Sequence, residues 1–336
     1  MVDFGVLRRM FPKSVLVTGA NGFLGRTIVT QLLQEDVTVV GTDRGLSPLV
    51  KEIEYRRADI TRSKELADTF MGVNTVVHAA GLAHVFDRHS ETEGCFRQVN
   101  EIGTKSVAEA AAQAGLDHFI LISSVSVYGP SSRAQWDEQM VCRPSGSYAL
   151  SKYNAELKAI EISERTGMAL TILRLATLYG EEDPGNVARL IRSLDRGRFF
   201  WIGDGGNRKS LLYKEDAARA CLSVMSRPGR GWRIYNVSAP PCTMREIVDV
   251  IAQELGKKPL PIRIPAFLSK SAGKILSCLP YRPLSDLQTT ILKWLSEDVY
   301  DTSRFDIDFG FHPLVNLDEG LKRQVHWYRY TRGARG

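Results

Sequence analysis

The stretch Thr18–Gly25, TGANGFLG, lies directly after a short apolar run and directly before a helical one. Gly19, Gly22 and Gly25 at this spacing permit a tight turn, close approach of the backbone to a pyrophosphate, and close helix–strand packing. The amides of the following first turn, around Asn21, Phe23 and Leu24, then face the two phosphates. Asp43 ends a second apolar run, 18 residues past Gly25. A carboxylate there accepts hydrogen bonds from a ribose 2′-hydroxyl and repels a 2′-phosphate, which favours NAD. Arg44 beside it can hold a phosphate and keeps NADP open. Asp59 and Ile60, after a third run, are expected near the adenine.

Tyr148 and Lys152 form a second constellation, in Ser147–Lys152, SYALSK. Four residues apart on a helix, a phenol and an ammonium share a face. At roughly 6 Å and an effective dielectric of about 20, the ammonium favours the phenolate by about 3 kcal/mol, roughly 2 pKa units. With the positive charge of a nicotinamide added, a phenolate is expected near neutral pH. Tyr148 can then remove a proton from a sugar or alcohol hydroxyl while hydride leaves the same carbon. Ser123 and Ser124 close an apolar run about 24 residues upstream, where they can hold the same hydroxyl. Asn100, in VNEIGT, is expected to brace the intervening helix.

These residues need a scaffold, and the first half supplies its pattern. Apolar runs at Ser14–Thr18, Val37–Thr42, Glu54–Ala58, Thr75–Ala79, Phe119–Ser123 and Leu170–Arg174 read as strands. Helical stretches at Arg26–Leu33, Glu65–Met71, Val99–Ala114 and Tyr148–Thr166 separate them. Six strands with helical crossovers describe an α/β fold, a doubly wound parallel sheet covered on both faces. Beyond Gly180 the pattern turns irregular, with helical pieces at Val187–Arg196, Lys214–Ser226 and Met244–Leu255 between Gly/Pro-rich stretches. The expected organisation is a Rossmann domain over residues 1–180 and a smaller mixed substrate lobe with a basic tail over 181–336. Pro265–Leu279 reads as an amphipathic packed helix, with contact to a membrane surface as the other reading.

With these motifs in view, the chain resembles the extended short-chain dehydrogenase/reductase family. TGANGFLG, HAAG (His78–Gly81), VNEIGT, ISSVSVYG (Ile122–Gly129), SYALSK and LRLATLYG (Leu173–Gly180) follow the family's order and spacing. The resemblance covers about residues 13–328 and is nearest to nucleotide-sugar 4-epimerases and 4-keto-reductases. It implies a Rossmann domain, a bound nicotinamide dinucleotide and a catalytic set of Ser124, Tyr148 and Lys152. Dinucleotide contacts are expected from the glycine turn, Asp43, Ala79, Ala80, Gly81, Asn100 and Ser123, and from Tyr148 and Lys152 themselves. For the substrate it implies Ser124 and Ser126, Asn186 near a helix start, and Arg208 and Lys209 after the GDG turn, gripping a diphosphate. Phe200 or Trp201 is a candidate cover for a base, and simple core is the other reading. Thr177 stands where many members carry Asn. Homodimers built from paired helices are common in the family; Val99–Ala114 and Tyr148–Thr166 are the segments that would do this.

One position narrows the reaction. Related 4,6-dehydratases and decarboxylases carry an acid just after the catalytic Ser or Thr, whereas here Val125-Ser126-Val127-Tyr128 follows Ser124. None of these side chains is a carboxyl that can act as the acid of a β-elimination at neutral pH, so dehydration is disfavoured. The expected activity is an NAD-dependent 4-epimerase of a UDP-sugar. An NAD(P)H-dependent reductase of a 4-keto-6-deoxy sugar nucleotide and a 3β-hydroxysteroid-type dehydrogenase are the alternatives.

Composition agrees with a folded enzyme. The 336 residues are 43% hydrophobic and 24% charged, ordinary globular values. No segment approaches the roughly 20 apolar residues of a bilayer helix, and the start is too short in apolar residues for a secretory signal. A cytoplasmic protein is expected. Five scattered cysteines without a CxxC pair point to reduced packing residues and to no metal. Residues 1–170 carry 18 basic and 20 acidic side chains, leaving 26 and 18 for the remainder of the totals of 44 and 38. Lys322, Arg323, Arg329, Arg332 and Arg335 lie in the last fifteen residues and read as a solvated basic tail. The remaining bias suits an anionic small molecule and is no nucleic-acid footprint.

Overall fold

The computed structural model describes residues 11–83, 90–130, 135–264 and 296–333. Strand β1 (Ser14–Thr18) is aliphatic and β-branched and buried along its whole length, as an interior parallel strand covered on both faces must be. Then come α1 (Phe23–Leu32), β2 (Thr38–Thr42), β3 (Glu54–Tyr55) and β4 (Thr75–His78). Helix α2 (Ser90–Phe96) runs through a π-helical segment, Arg97–Gly103, into α3 (Thr104–Gln113). Strand β5 (His118–Ser124), α4 (Ser147–Thr166) and β6 (Ala169–Leu175) complete the first half. The stretch expected as a helix at 65–71 forms instead two short 3₁₀ turns, Ser63–Glu65 and Ala67–Phe70. The third strand is shorter than its apolar run.

The second half contributes β7 (Thr177–Tyr179), α5 (Asn186–Asp195), β8 (Trp201–Ile202), β9 (Arg208–Lys209) and β10 (Leu211–Tyr213). It continues with α6 (Lys214–Met225), β11 (Trp232–Val237), β12 (Cys242–Thr243), α7 (Met244–Leu255) and β13 (Arg263–Ile264). Two helices, Ser303–Phe309 and Leu317–Gly333, follow.

Among the described residues the main sheet has seven parallel strands in the order β11-β6-β5-β4-β1-β2-β3. The seventh, β11, comes from beyond residue 180. Strand β6 is buried over its full length, and β11 pairs with it from Trp232 to Val237. Unpaired ladder groups on a covered edge are costly, so the sheet takes a strand from the second half. Helix α6 comes with it: Ala217, Ala218, Cys221 and Leu222 share one core with Ile28, Val29 and Leu32 of α1. On the other face Val107, Ala108 and Ala111 of α3 and Ala159 and Ile162 of α4 cover the sheet.

The smaller lobe has its own core, in which Val187, Leu190, Ile191 and Leu194 of α5 meet Ile247, Val248 and Ile251 of α7 and Leu321 and Val325 of the last helix. A capping box between Thr243 and Glu246 starts α7, satisfying two helix-end amides reciprocally. Of the charges expected in the basic tail, Lys322, Arg323 and Arg332 are exposed and paired. Lys322 pairs with Asp318 at 2.7 Å, Arg323 with Glu215 and Glu319, and Arg332 with Asp195. Arg323 and Arg332 thereby fasten the last helix to α6 and α5, while the pairs with Asp318 and Glu319 lie within it. Arg335 and the stretch Pro265–Leu279 lie outside the described residues. Among the described residues, no helix is long and apolar enough to cross a membrane.

Candidate active site

Strand order reverses between β1 and β4, so their carboxyl ends open a crevice, the place where doubly wound sheets bind ligands. At its floor Gly19 has φ +68°, and Gly22 N–H donates to its carbonyl at 2.8 Å. A Cβ on Gly25 would lie 2.0 Å from the Gly19 oxygen, and one on Gly19 would lie 2.7 Å from Ala80 Cα. The glycines thus let the turn, α1 and the Ala79–Gly81 loop meet at backbone contact, leaving a cradle without side chains at the α1 N-terminus. This suits a pyrophosphate.

Asp43 follows β2. Its carboxylate accepts from Asn21 N–H at 3.3 Å and Gly45 N–H at 3.4 Å, with acceptor capacity left for a ribose. The Asn21 side chain is used elsewhere, donating to the Ser47 carbonyl at 3.0 Å and accepting from Leu49 N–H at 2.8 Å. Arg44 is exposed. Asp59 accepts from the amide and hydroxyl of Thr61, and these bonds hold its carboxyl below the usual range. Ile60 points into the core, against Gly103.

Asn100 lies in the π-helical segment and is fully buried. Its amide donates to the Leu82 carbonyl and to Ser151 Oγ, both at 3.0 Å, and accepts from Leu82 N–H at 2.8 Å. Ser151 in turn donates to the Tyr148 carbonyl at 2.8 Å. The expected brace therefore joins the loop after β4 to the start of α4. A parallel chain of buried groups runs from Thr18 through His78 to Thr104, at 2.7 and 3.0 Å. Burial first, and Lys152 second, bring His78 down to about 3, so it is a neutral bridge between β1 and α3.

Tyr148 and Lys152 share a face of α4, below the end of β5. Ser124 stands at that strand end, its hydroxyl accepting from Ser126 N–H at 3.2 Å. Burial pushes the Tyr148 phenol up, and a hydrogen bond with Ser124 opposes it. The expected acidification by Lys152 is not what the folded chain supplies. Burial brings Lys152 itself down to about 8, with Glu156 opposing, and its Nζ donates to the Ile122 carbonyl at 2.5 Å. The cost of burying either ion exceeds the attraction assumed at surface-like dielectric. The Ser123 hydroxyl donates inward to Glu156. Glu156 and its partner Arg174 were missed, although Glu156 is one turn beyond Lys152 and Arg174 is the lone charge in the apolar run ALTILRL.

The residues expected at the substrate separate. Ser126 Oγ is buried with no protein partner. Asn186 is the first residue of α5, whose start is capped by Asp183 accepting from Ala188 N–H at 3.0 Å. Arg208 is 46% exposed and pairs with Glu297 at 3.3 Å. Lys209 is consumed by structure, donating to Asp298 at 2.7 Å and to the Ser296 carbonyl at 2.8 Å. It ties β9 to residues 296–298 and is removed from the set of free cations. Trp201 is core: Phe199 packs on it edge-on at 5.2 Å, and a Cβ on Gly205 would touch its ring.

The geometry can be set beside known proteins. The NAD dependent epimerase/dehydratase family model matches residues 15–238. A UDP-glucose 4-epimerase from Vibrio cholerae is 27% identical, covering 94% of this chain and 95% of that one. A dTDP-glucose 4,6-dehydratase from Streptomyces niveus is 26% identical, covering 95% and 93%. Among solved structures, MoeE5 in complex with UDP-glucose and NAD superposes with a TM-score of 0.75 at 28% identity, covering 95% of this chain and 99% of that one. The chain belongs to the NAD-dependent epimerase/dehydratase family, as an enzyme of extended short-chain dehydrogenase/reductase type.

Proposed function

We propose that this enzyme is a nucleotide-sugar 4-epimerase acting on a UDP-sugar, with Ser124, Tyr148 and Lys152 as its reacting set. The observation that carries this reading is Ser124 at the end of β5, beside the face of α4 that bears Tyr148 and Lys152, with no carboxylate in the next positions. Val125 is buried against Tyr128 and Trp136, and Ser126 offers only an unpartnered hydroxyl. A sugar hydroxyl would give the buried Ser126 hydroxyl a partner. Ser124 orients the C4 hydroxyl, Tyr148 Oη takes its proton and later returns it, and Lys152 holds the ribose side of the crevice. Bound NAD supplies the hydride acceptor and a positive ring that favours the Tyr148 phenolate. With the base regenerated in each cycle, Tyr148 serves both half-reactions. Asn186 and Arg208 take the diphosphate of the substrate.

Leu150 and Leu157, seven apart on α4, are 49% and 46% exposed. A second copy of α4 is the cover proposed for them, which makes the enzyme a homodimer.

The test is incubation with a panel of UDP-sugars under mass spectrometry and NMR. Interconversion of C4 epimers without net change in NAD is expected. Net consumption of NAD(P)H by a 4-keto sugar would replace this reading with a reductase. Accumulation of a 4-keto-6-deoxy product would replace it with a dehydratase.

A further inference from the structure

Lys152 and Glu156 stand four apart on α4, the spacing at which an ammonium and a carboxylate ordinarily pair. In this molecule they do not. Lys152 donates to the Ile122 carbonyl, while the Glu156 oxygens are taken by Arg174 from β6. Arg174 Nε donates to both oxygens, at 3.1 and 3.3 Å, and Nη2 donates to Oε2 at 2.7 Å. Ser123 adds a donor to Oε1. Glu156 is 1% exposed and Arg174 3%, so neither is a solvated charge. The Arg174 guanidinium also lies 4.9 Å from the centre of the Tyr128 ring, which fixes it from the far side.

We propose that Arg174 is a positioning residue: by occupying Glu156 it keeps that carboxylate from capturing Lys152, so the ammonium stays at the end of β5 where the dinucleotide ribose is to be held. The idea rests on the family's use of NAD and on the proposed place of Lys152, and not on which sugar is turned over. The physical reason is competition for one acceptor. A bidentate guanidinium saturates a carboxylate in the plane; without it, a buried carboxylate one turn from an ammonium would take the ammonium as its partner. Among the described residues, the charged and titratable groups coupled to Lys152 are Glu156 on α4 and His78 on β4, with Tyr148 one turn before it on the same helix. Arg174 on β6, with Tyr128 and Cys142 beside it, stands behind Glu156.

The experiment measures NAD binding by calorimetry against pH, which needs no sugar. In the wild type, affinity is expected to fall as pH rises through about 8, as burial lets Lys152 lose its proton. In Arg174→Met the freed Glu156 pairs with Lys152. The fall is expected to move up by about one pH unit, and affinity at pH 7 to weaken about tenfold as the ammonium leaves the ribose. Adding Glu156→Gln to Arg174→Met removes the captor: affinity at pH 7 returns to within about threefold of wild type, and the fall moves below the wild-type midpoint. The double variant buries no ion pair and is the one to rely on should Arg174→Met fail to fold. Wild-type affinity and pH profile in Arg174→Met, or a midpoint in the double variant at or above that of the wild type, would overturn the proposal. Loss of any pH dependence in the wild type would instead remove Lys152 from the dinucleotide site.

Discussion

Tyr148 and Lys152 show how far spacing alone carries a chemical argument. Four residues on a helix do put them on one face, yet the ammonium is spent on the Ile122 carbonyl and the phenol is raised by burial. Tyr148→Phe is expected to lower turnover by about 10²–10⁴, the usual worth of a positioned acid–base group, with NAD affinity unchanged within a few-fold; stopped assays and calorimetry on the same preparation decide it. The two cations read together from the sequence part company. Arg208→Ala should raise KM for a UDP-sugar about ten- to a hundredfold, with kcat little changed, because a charged hydrogen bond is worth about 1.5–3 kcal/mol. Lys209→Ala should act on the fold, lowering the melting temperature through the loss of Asp298 and Ser296 as partners. Equal KM effects from both would return Lys209 to the substrate site. What separates the pair is that adjacent residues on a short strand point to opposite faces, so Arg208 is exposed and Lys209 buried.

At the scale of elements, the turn before α1 was legible because its glycines answer a local steric demand. Gly25→Ala places a methyl 2.0 Å from the Gly19 carbonyl oxygen, and relief requires α1 to move off the turn. NAD affinity should drop at least tenfold, and a wild-type Kd would show that the turn has slack. The helix Ser147–Thr166 was legible to within one residue, since Gly167 ends it in a left-handed conformation, φ +77°. The π-helical segment at Asn100 was not legible as such: local propensity cannot distinguish it from the α-helix around it. Its shape follows from tertiary demands on one side chain, which must reach Leu82 and Ser151 together. The seventh strand escaped for a similar reason. Trp232–Val237 looks like any half-apolar segment until β6 is seen to need a partner.

For the whole molecule, two buried histidines are expected to weaken the fold in acid. Burial brings His118 down to about 4, with Arg233 adding to the effect, and brings His78 to about 3. A lowered folded-state value means stability is fully present above about 6.5, where both states hold neutral imidazole, and is lost as pH falls through 6.5 toward 4 and then 3. For His118 the loss is about 3 kcal/mol by linkage. Thermal melts from pH 7 to 4 should show a steep decline, made shallower in His118→Asn; equal slopes would mean that another group titrates. Lys152 works in the opposite range. Its depressed value of about 8 means that the unfolded chain binds more protons between about 8 and 10.5, so this residue's contribution improves as pH rises through that window. The dimer is also tested here: Leu150→Glu with Leu157→Glu should halve the mass seen in light scattering while each chain keeps its circular dichroism. A wild type that is already monomeric would sink that part of the proposal.

The parallel sheet, the glycine turn before α1 and the spacing of phenol to ammonium were readable in the residues alone, because each follows from local sterics and periodicity within a few positions. Who partners whom was settled in three dimensions. Arg174 and Glu156 meet across 18 positions, Lys209 and Asp298 across 89, and the last helix finds Asp195 from 137 positions away. Charges and hydroxyls choose partners by burial and competition in three dimensions, and nothing in the neighbouring residues encodes that choice.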